Sequence, residues 1–193
     1  MKLSAIAFVT AGFAVGLPAV ASAEGMHVEP IKAYVSENVD GWLNDPVVIK
    51  AIKAQNEAHA DATQADIDEM DGKWREETGA SAKPMIDKVL ANDLSAFLKQ
   101  RKDESAGLIS EVFVMDNKGL NVGQSDVTSD YWQGDEAKFQ KSYGEGAEAI
   151  FVDEIEEDES SQTLQSQVSK TIVDPQSGEA IGAITVGINV DNL

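Results

Sequence analysis

The chain has 193 residues, 15 basic and 34 acidic side chains, a formal charge of −19 at neutral pH, and no cysteine. That composition excludes disulfides, thiol catalysis and thiolate metal sites. So acidic a surface also repels nucleic acid and anionic lipid, and adaptation to salty water accounts for it more simply than a specific cation site.

The first segment reads as an export signal. Met1 and Lys2 give a basic start, residues 3–20 an apolar run without charge, and Ala21-Ser22-Ala23 a small-residue exit. Together these specify a secretory signal, with cleavage expected between Ala23 and Glu24. Gly12, Gly16 and Pro18 weaken the same run as an uncleaved spanning helix. Cleavage removes one charge, Lys2, and leaves −20 on about 170 residues, enough for one domain with its own core. An exported chain without cysteine fits a bacterial periplasm, or secretion, better than a disulfide-stapled scaffold.

Helices are expected first. After Pro30, Ile31, Val35, Val39 and Trp42 recur at helical spacing, and residues 41–45 break the run. Pro46 suits the first turn of a second helix. Val48, Ile52, His59, Ile67, Met70 and Trp74 then mark one stripe, which predicts a single long amphipathic helix reaching about Glu77 and closed by Gly79. A third helix is predicted after Pro84, with Ile86, Val89, Leu90, Phe97 and Leu98 on its apolar face. Lys99, Arg101 and Lys102 lie in its last turn, where cations suit the helix dipole.

Beyond Gly107 the periodicity is that of strands. Strands are predicted over 108–115 and 120–124, joined by the turn Asp116-Asn117-Lys118-Gly119. An irregular stretch with Tyr131, Trp132 and Gly134 leads into a short helix over 135–143. Further strands are predicted over 149–155, 163–173 and 181–190, with an acidic link at 156–161 and the turn Asp174-Pro175-Gln176-Ser177-Gly178. Hairpin-length connections make the sheet antiparallel, and helices followed by strands make the fold α+β, the helices packed on one sheet face. In the last strand Ile184, Val186, Ile188 and Val190 form the apolar face. Ala183, Thr185, Gly187 and Asn189 form a small, polar one, suited to a cavity or to water.

A long helix, another helix and five strands, with the largest insertion between strands two and three, resemble the extracellular PAS-like sensor domains called Cache or PDC domains. The stretches that carry the likeness are Val112-Phe113-Val114-Met115-Asp116-Asn117-Lys118-Gly119, then Ser129-Asp130-Tyr131-Trp132-Gln133-Gly134-Asp135-Glu136. The last is Val168-Ser169-Lys170-Thr171-Ile172-Val173-Asp174 with Gly178 and Ile181-Gly182-Ala183-Ile184. The resemblance covers about residues 30–193. It implies a PAS-like fold, long N-terminal helices on a five-stranded antiparallel sheet. It also implies that an amine, amino acid or organic acid is bound between the sheet and the loops over it. The sequence carries no HAMP linker and no kinase or methylation helices. The expectation is therefore a free-standing domain that acts through a membrane sensor kinase or chemoreceptor, with a homodimer possible as well.

The candidate ligand residues are Tyr131, Trp132, Asp135, Lys170 and Thr185. Adjacent large aromatics in a polar stretch can plug the core, line a pocket or face a partner, and their polar tips suit a pocket. Asp135 can hold a ligand ammonium by a charge-assisted bond or cap the helix after it. Lys170 points either into the pocket or to solvent, and Ser169, Thr171 and Thr185 are weaker candidates. Family members that bind amino acids add an arginine near the aromatics. Here only Lys138 and Lys141 are near, which leaves an amine, a neutral solute or a lysine-bound monocarboxylate.

Chemistry of other kinds has little support. The two histidines, His27 and His59, lack metal-ligand spacing, and the acidic run 153–159 lacks the ligand order of an EF-hand. No metal or cofactor is expected, and no nucleophile–base pair suggests an enzyme. The rival reading is an interaction protein with a filled PAS-like core that dimerises or binds a protein through its long helix.

Overall fold

The computed structural model describes residues 25–157 and 163–193. The expected export signal, residues 1–23, and positions 158–161 of the predicted acidic link lie outside the described residues.

Among the described residues six α-helices and five strands build an α+β domain. Helix α1, Val28–Asn38, buries Ile31 and Val35 one turn apart. A 3-10 turn, Asp40–Asn44, brings the chain to α2, Pro46–Ala58. Asp45 caps α2 by accepting from the Val47 amide at 2.9 Å, and Pro46 occupies the first turn, where no amide hydrogen is needed. Val48 and Ile52 are its buried residues.

The single long helix predicted from Pro46 to Glu77 is two helices. Helix α2 ends at Ala58, and α3, Gln64–Thr78, starts anew. The break has a local cause. Thr63 and Asp66 form a capping box, in which the Thr63 hydroxyl receives the Asp66 amide and the Asp66 carboxylate receives the Thr63 amide. The apolar stripe is correspondingly divided. Val48 and Ile52 enter the main core, while Ile67 and Trp74 enter a second cluster.

The predicted third helix divides in the same way into α4, Pro84–Leu90, and α5, Asp93–Glu104. Helix α4 ends with Ala91 as its cap, and Asn92 starts α5. Its side-chain oxygen accepts from the Ser95 amide at 2.7 Å, and its amide group donates to the Val122 carbonyl at 2.8 Å. One residue thus caps α5 and fixes it to the sheet.

The strands are β1 Ile109–Met115, β2 Asn121–Gln124, β3 Ile150–Glu157, β4 Leu164–Val173 and β5 Ala180–Asn189. They form one sheet in the order β2-β1-β5-β4-β3, with every pairing antiparallel. Strand β3 runs two residues further than expected, so Glu156 and Glu157 pair with Gln165 and Leu164 instead of forming a free link. A helix α6, Ala137–Gln140, lies in the insertion between β2 and β3.

The two sheet faces differ as β5 implies. Val112, Val114, Val168, Ile184, Val186 and Ile188 pack with residues of α1, α2 and α5 in the main core. Phe113, Met115 and Ala183 face the other way, against Phe139 of α6. Strands β1 and β5 approach so closely that a Cβ on Gly182 would run into the Met115 carbonyl. Only glycine fits there.

Candidate functional site

The site begins at the β1–β2 turn. Asp116 is fully buried there. Its Oδ1 accepts from the Lys118 and Leu120 amides at 2.8 and 3.0 Å. Its Oδ2 lies 2.9 Å from Gln55 Nε2 and 3.3 Å from His59 Nδ1. A buried carboxylate is tolerated when each oxygen has partners. These partners tie the C-terminal end of α2 to the turn.

A second buried carboxylate holds the insertion. Asp71 Oδ1 accepts from the Tyr131 amide at 2.9 Å and the Trp132 amide at 3.0 Å. Asp71 Oδ2 pairs with Arg75 Nε at 2.8 Å, and the same nitrogen reaches Asp130 Oδ1 at 2.9 Å. One turn along, Trp74 donates its indole N–H to the Thr128 carbonyl at 2.9 Å and stacks on Tyr131 with ring centroids 5.4 Å apart. Residues 128–132 are thereby strapped to α3.

Between α2, α3, α4, the start of α5 and β2 runs a groove of about 890 Å³. Its walls include Val47, Ala51, Met70, Met85, Leu94 and Val122. Gln55, His59 and Tyr131 give it a polar end, with Asp116 behind them. Burial pushes the Tyr131 phenol well above its ordinary range. The Asp116 charge adds to this, and a hydrogen bond with Gln55 opposes it. The phenol is therefore a neutral donor at any physiological pH.

Of the expected ligand residues, only Tyr131 lines this groove. Trp132 is half-buried beside it and donates its indole N–H to the Lys118 carbonyl at 2.8 Å. A Cβ on Gly134 would collide with that indole, so the glycine lets Trp132 close over the turn. Asp135 is exposed, and Glu136 occupies the capping position of α6 in its place, without a side-chain cap bond. Lys170 lies on the helix side of the sheet, where Nζ meets Asp40 Oδ1 at 2.7 Å. Thr185 lies on the opposite face, paired with Phe113, fully buried, its hydroxyl 2.8 Å from Ser169 Oγ. A separate polar cavity of about 310 Å³ lies between α6 and the edge of that face, lined by Glu136, Lys138, Asp153, Glu154, Gln165 and Gln167. The five residues thus do not converge on one place.

The residues that organise the groove, Gln55, Asp71 and Asp116, were not foreseen. Asp71 carried a readable signal, an acid four residues after Ile67 and three before Trp74, on the apolar stripe itself. Asp116 carried a weaker one, because Asp at the head of a turn commonly accepts from amides two residues on. Among the described residues no group of three or more His, Asp or Glu is placed to hold a metal ion. Nor is any helix among them long and apolar enough to cross a membrane.

No protein-family model matches the chain, and no curated protein does. Solved structures do resemble it. The ligand-binding domain of a Campylobacter jejuni chemoreceptor in complex with 4-methylisoleucine aligns at 14% identity and a TM-score of 0.42, covering 80% of this chain and 64% of that one. The sensor domain of the V. cholerae histidine kinase DctB aligns at 11% identity and a TM-score of 0.38, covering 84% of this chain and 55% of that one. The E. coli DcuS sensor domain aligns at 16% identity and a TM-score of 0.40, covering 65% of this chain and 92% of that one. The chain thus spans less than two thirds of the first two.

Two outcomes follow from the buried polar groups. Asp71→Ala leaves two amides without their acceptor and is expected to cost about 2–4 kcal/mol in urea unfolding, whereas Asp71→Asn, which keeps an acceptor oxygen, costs less. The second outcome concerns pH. Unfolded tyrosine ionises near 10.0, while folded Tyr131 stays neutral above that. The stabilisation from the neutral phenol is complete below pH 10 and is lost as pH rises beyond it. Tyr131→Phe should therefore flatten the alkaline loss of stability by up to about 1.4 kcal/mol per pH unit, measured as urea midpoints between pH 9 and 11.

Proposed function

We propose that this chain is an extracytoplasmic binding domain that captures a small organic solute in the groove between α2, α3, α4 and β2 and reports it to a membrane partner. The observation that carries the reading is the groove itself. Its volume, about 890 Å³, lies within the range of small-molecule sites, and its lining sets apolar side chains beside polar and charged ones. In this reading Tyr131, Gln55 and His59 shape the floor against which the solute packs, and Asp116 keeps the last two in place.

The route to a partner runs through α3. A solute seated against Tyr131 bears on the residue that Asp71 and Arg75 clamp, and the same clamp holds Asp130. Trp132 and exposed Asp135 lie further along the same insertion. A change in the clamp therefore alters the surface around Asp135, where a sensor kinase or chemoreceptor would dock. By linkage the partner changes solute affinity by the same factor. Thr185 and Ser169 mark the place where the Cache-like resemblance puts a ligand. Their hydroxyls already satisfy each other, so the groove is the better site. Lys170, spent on Asp40, has no part in it.

One observation favours the rival reading. Val47, Ala51, Ala54 and Ala58 line the groove from α2, and the last two are exposed. Small side chains of this kind admit a close-packed second helix.

A thermal-shift screen of the full chain against amines, amino acids and short organic acids separates the two. A ligand of the folded state alone, at a hundredfold excess over its dissociation constant, stabilises by about 2.7 kcal/mol. That is several degrees in a domain of this size. The solute reading predicts a shift that Tyr131→Ala abolishes. No shift across the panel, together with a concentration-dependent dimer by light scattering, supports the interaction protein instead.

A further inference from the structure

In this chain an unpaired lysine is the informative charge. With 34 acids to 15 bases, acids without partners are expected from number alone, while a lysine has carboxylates within easy reach. Most cations behave accordingly. Among the described residues six lysines and both arginines meet carboxylates. Lys83 and Lys118 donate to the Thr78 and Ala62 carbonyls, and Lys141 lies over the Phe151 ring at 4.4 Å. Only Lys50, Lys73 and Lys88 remain without a hydrogen bond, ion pair or ring contact among the described residues.

All three line the groove. They come from three different helices, Lys50 from α2, Lys73 from α3 and Lys88 from α4. No local helical spacing brings them together; the packing of the helices does. Asp66, Glu69 and Asp93 share the groove. Asp66 is engaged in the capping box with Thr63, and neither Glu69 nor Asp93 is bonded to the lysines. The groove is thus locally balanced in charge on a strongly acidic molecule, with unengaged ammonium groups beside an apolar wall.

We infer that the groove takes an anionic amphiphile, an alkyl carboxylate. Its tail lies along the wall of Ala51, Met70 and Leu94, and its head meets Lys50, Lys73 and Lys88. The inference rests on the groove being the binding site and adds the ligand's chemistry. The tail supplies affinity by leaving water, about 0.8 kcal/mol per methylene. The carboxylate supplies selection, because exposed ammonium groups with no protein partner exchange only water for a charge-assisted bond.

Octanoate, 1-octanol and octylammonium titrated calorimetrically into the full chain test this. Octanoate is expected to bind at least tenfold more tightly than either of the others. The triple variant Lys50→Gln/Lys73→Gln/Lys88→Gln is expected to bind octanoate no better than octanol. Its urea midpoint should stay near that of the wild type, because the three lysines have no partners to lose. Should that variant fold poorly, Lys88→Gln alone is expected to weaken octanoate and leave octanol unchanged. Octylammonium binding as tightly as octanoate, or a folded lysine variant that keeps the preference for octanoate, overturns the inference. So does a wild type that binds none of the three. If another solute then raises the melting temperature in a Tyr131-dependent way, the groove reading stands and only the carboxylate assignment falls.

Discussion

The arrangement depends on one buried carboxylate accepting two consecutive backbone amides. Asp71 sits on the inward face of α3, between Ile67 and Trp74, where an uncompensated charge would be costly. It is tolerated because the Tyr131 and Trp132 amides and the Arg75 guanidinium surround it. Those bonds decide where the insertion goes. They hold Tyr131 where its ring stacks on Trp74, so the aromatic pair belongs to the second cluster. Asp116 does the same for the other wall, binding its own turn and the end of α2. The groove is the space left between elements that these two acids fix.

Much of the sheet was legible in the sequence. Alternation along β5 assigned its two faces correctly, and hairpin-length connections gave the antiparallel pairing. Strand limits differ from expectation by a residue or two, and the extension of β3 to Glu157 shows why. Acidic residues read as link, but edge pairing with β4 holds them in a ladder. The helices were less legible. Hydrophobic spacing runs on through residues 59–63 as if the helix continued. What stops it is Thr63 with Asp66, a capping pair whose signal is polar and short. Asn92 acts likewise between α4 and α5, and its cap is completed by a bond to β2 that no local pattern announces.

The candidate site was legible only in part, for the same physical reason. Tyr131 stands out in the sequence as an aromatic in a polar stretch, and the structure places it on the groove. Which way it points is set by Asp71, 60 residues earlier. Lys170 and Thr185 looked suited to a pocket because they sit on strands beside small residues. The sheet register puts them on opposite faces, each with its own partner. The unpaired lysines could not be found at all from sequence. Their meaning comes from the pairing of the other cations.

The most direct test of this account is the hydrogen-exchange rate of the Tyr131 and Trp132 amides in the unmodified protein, followed by NMR. Backbone bonds of exposed loops open easily, whereas those in the stable core exchange only through global unfolding. If Asp71 anchors the insertion as described, both amides exchange about as slowly as the central residues of β5. Exchange as fast as in a free peptide would mean that the insertion is not held on α3, and the groove would then have no fixed floor.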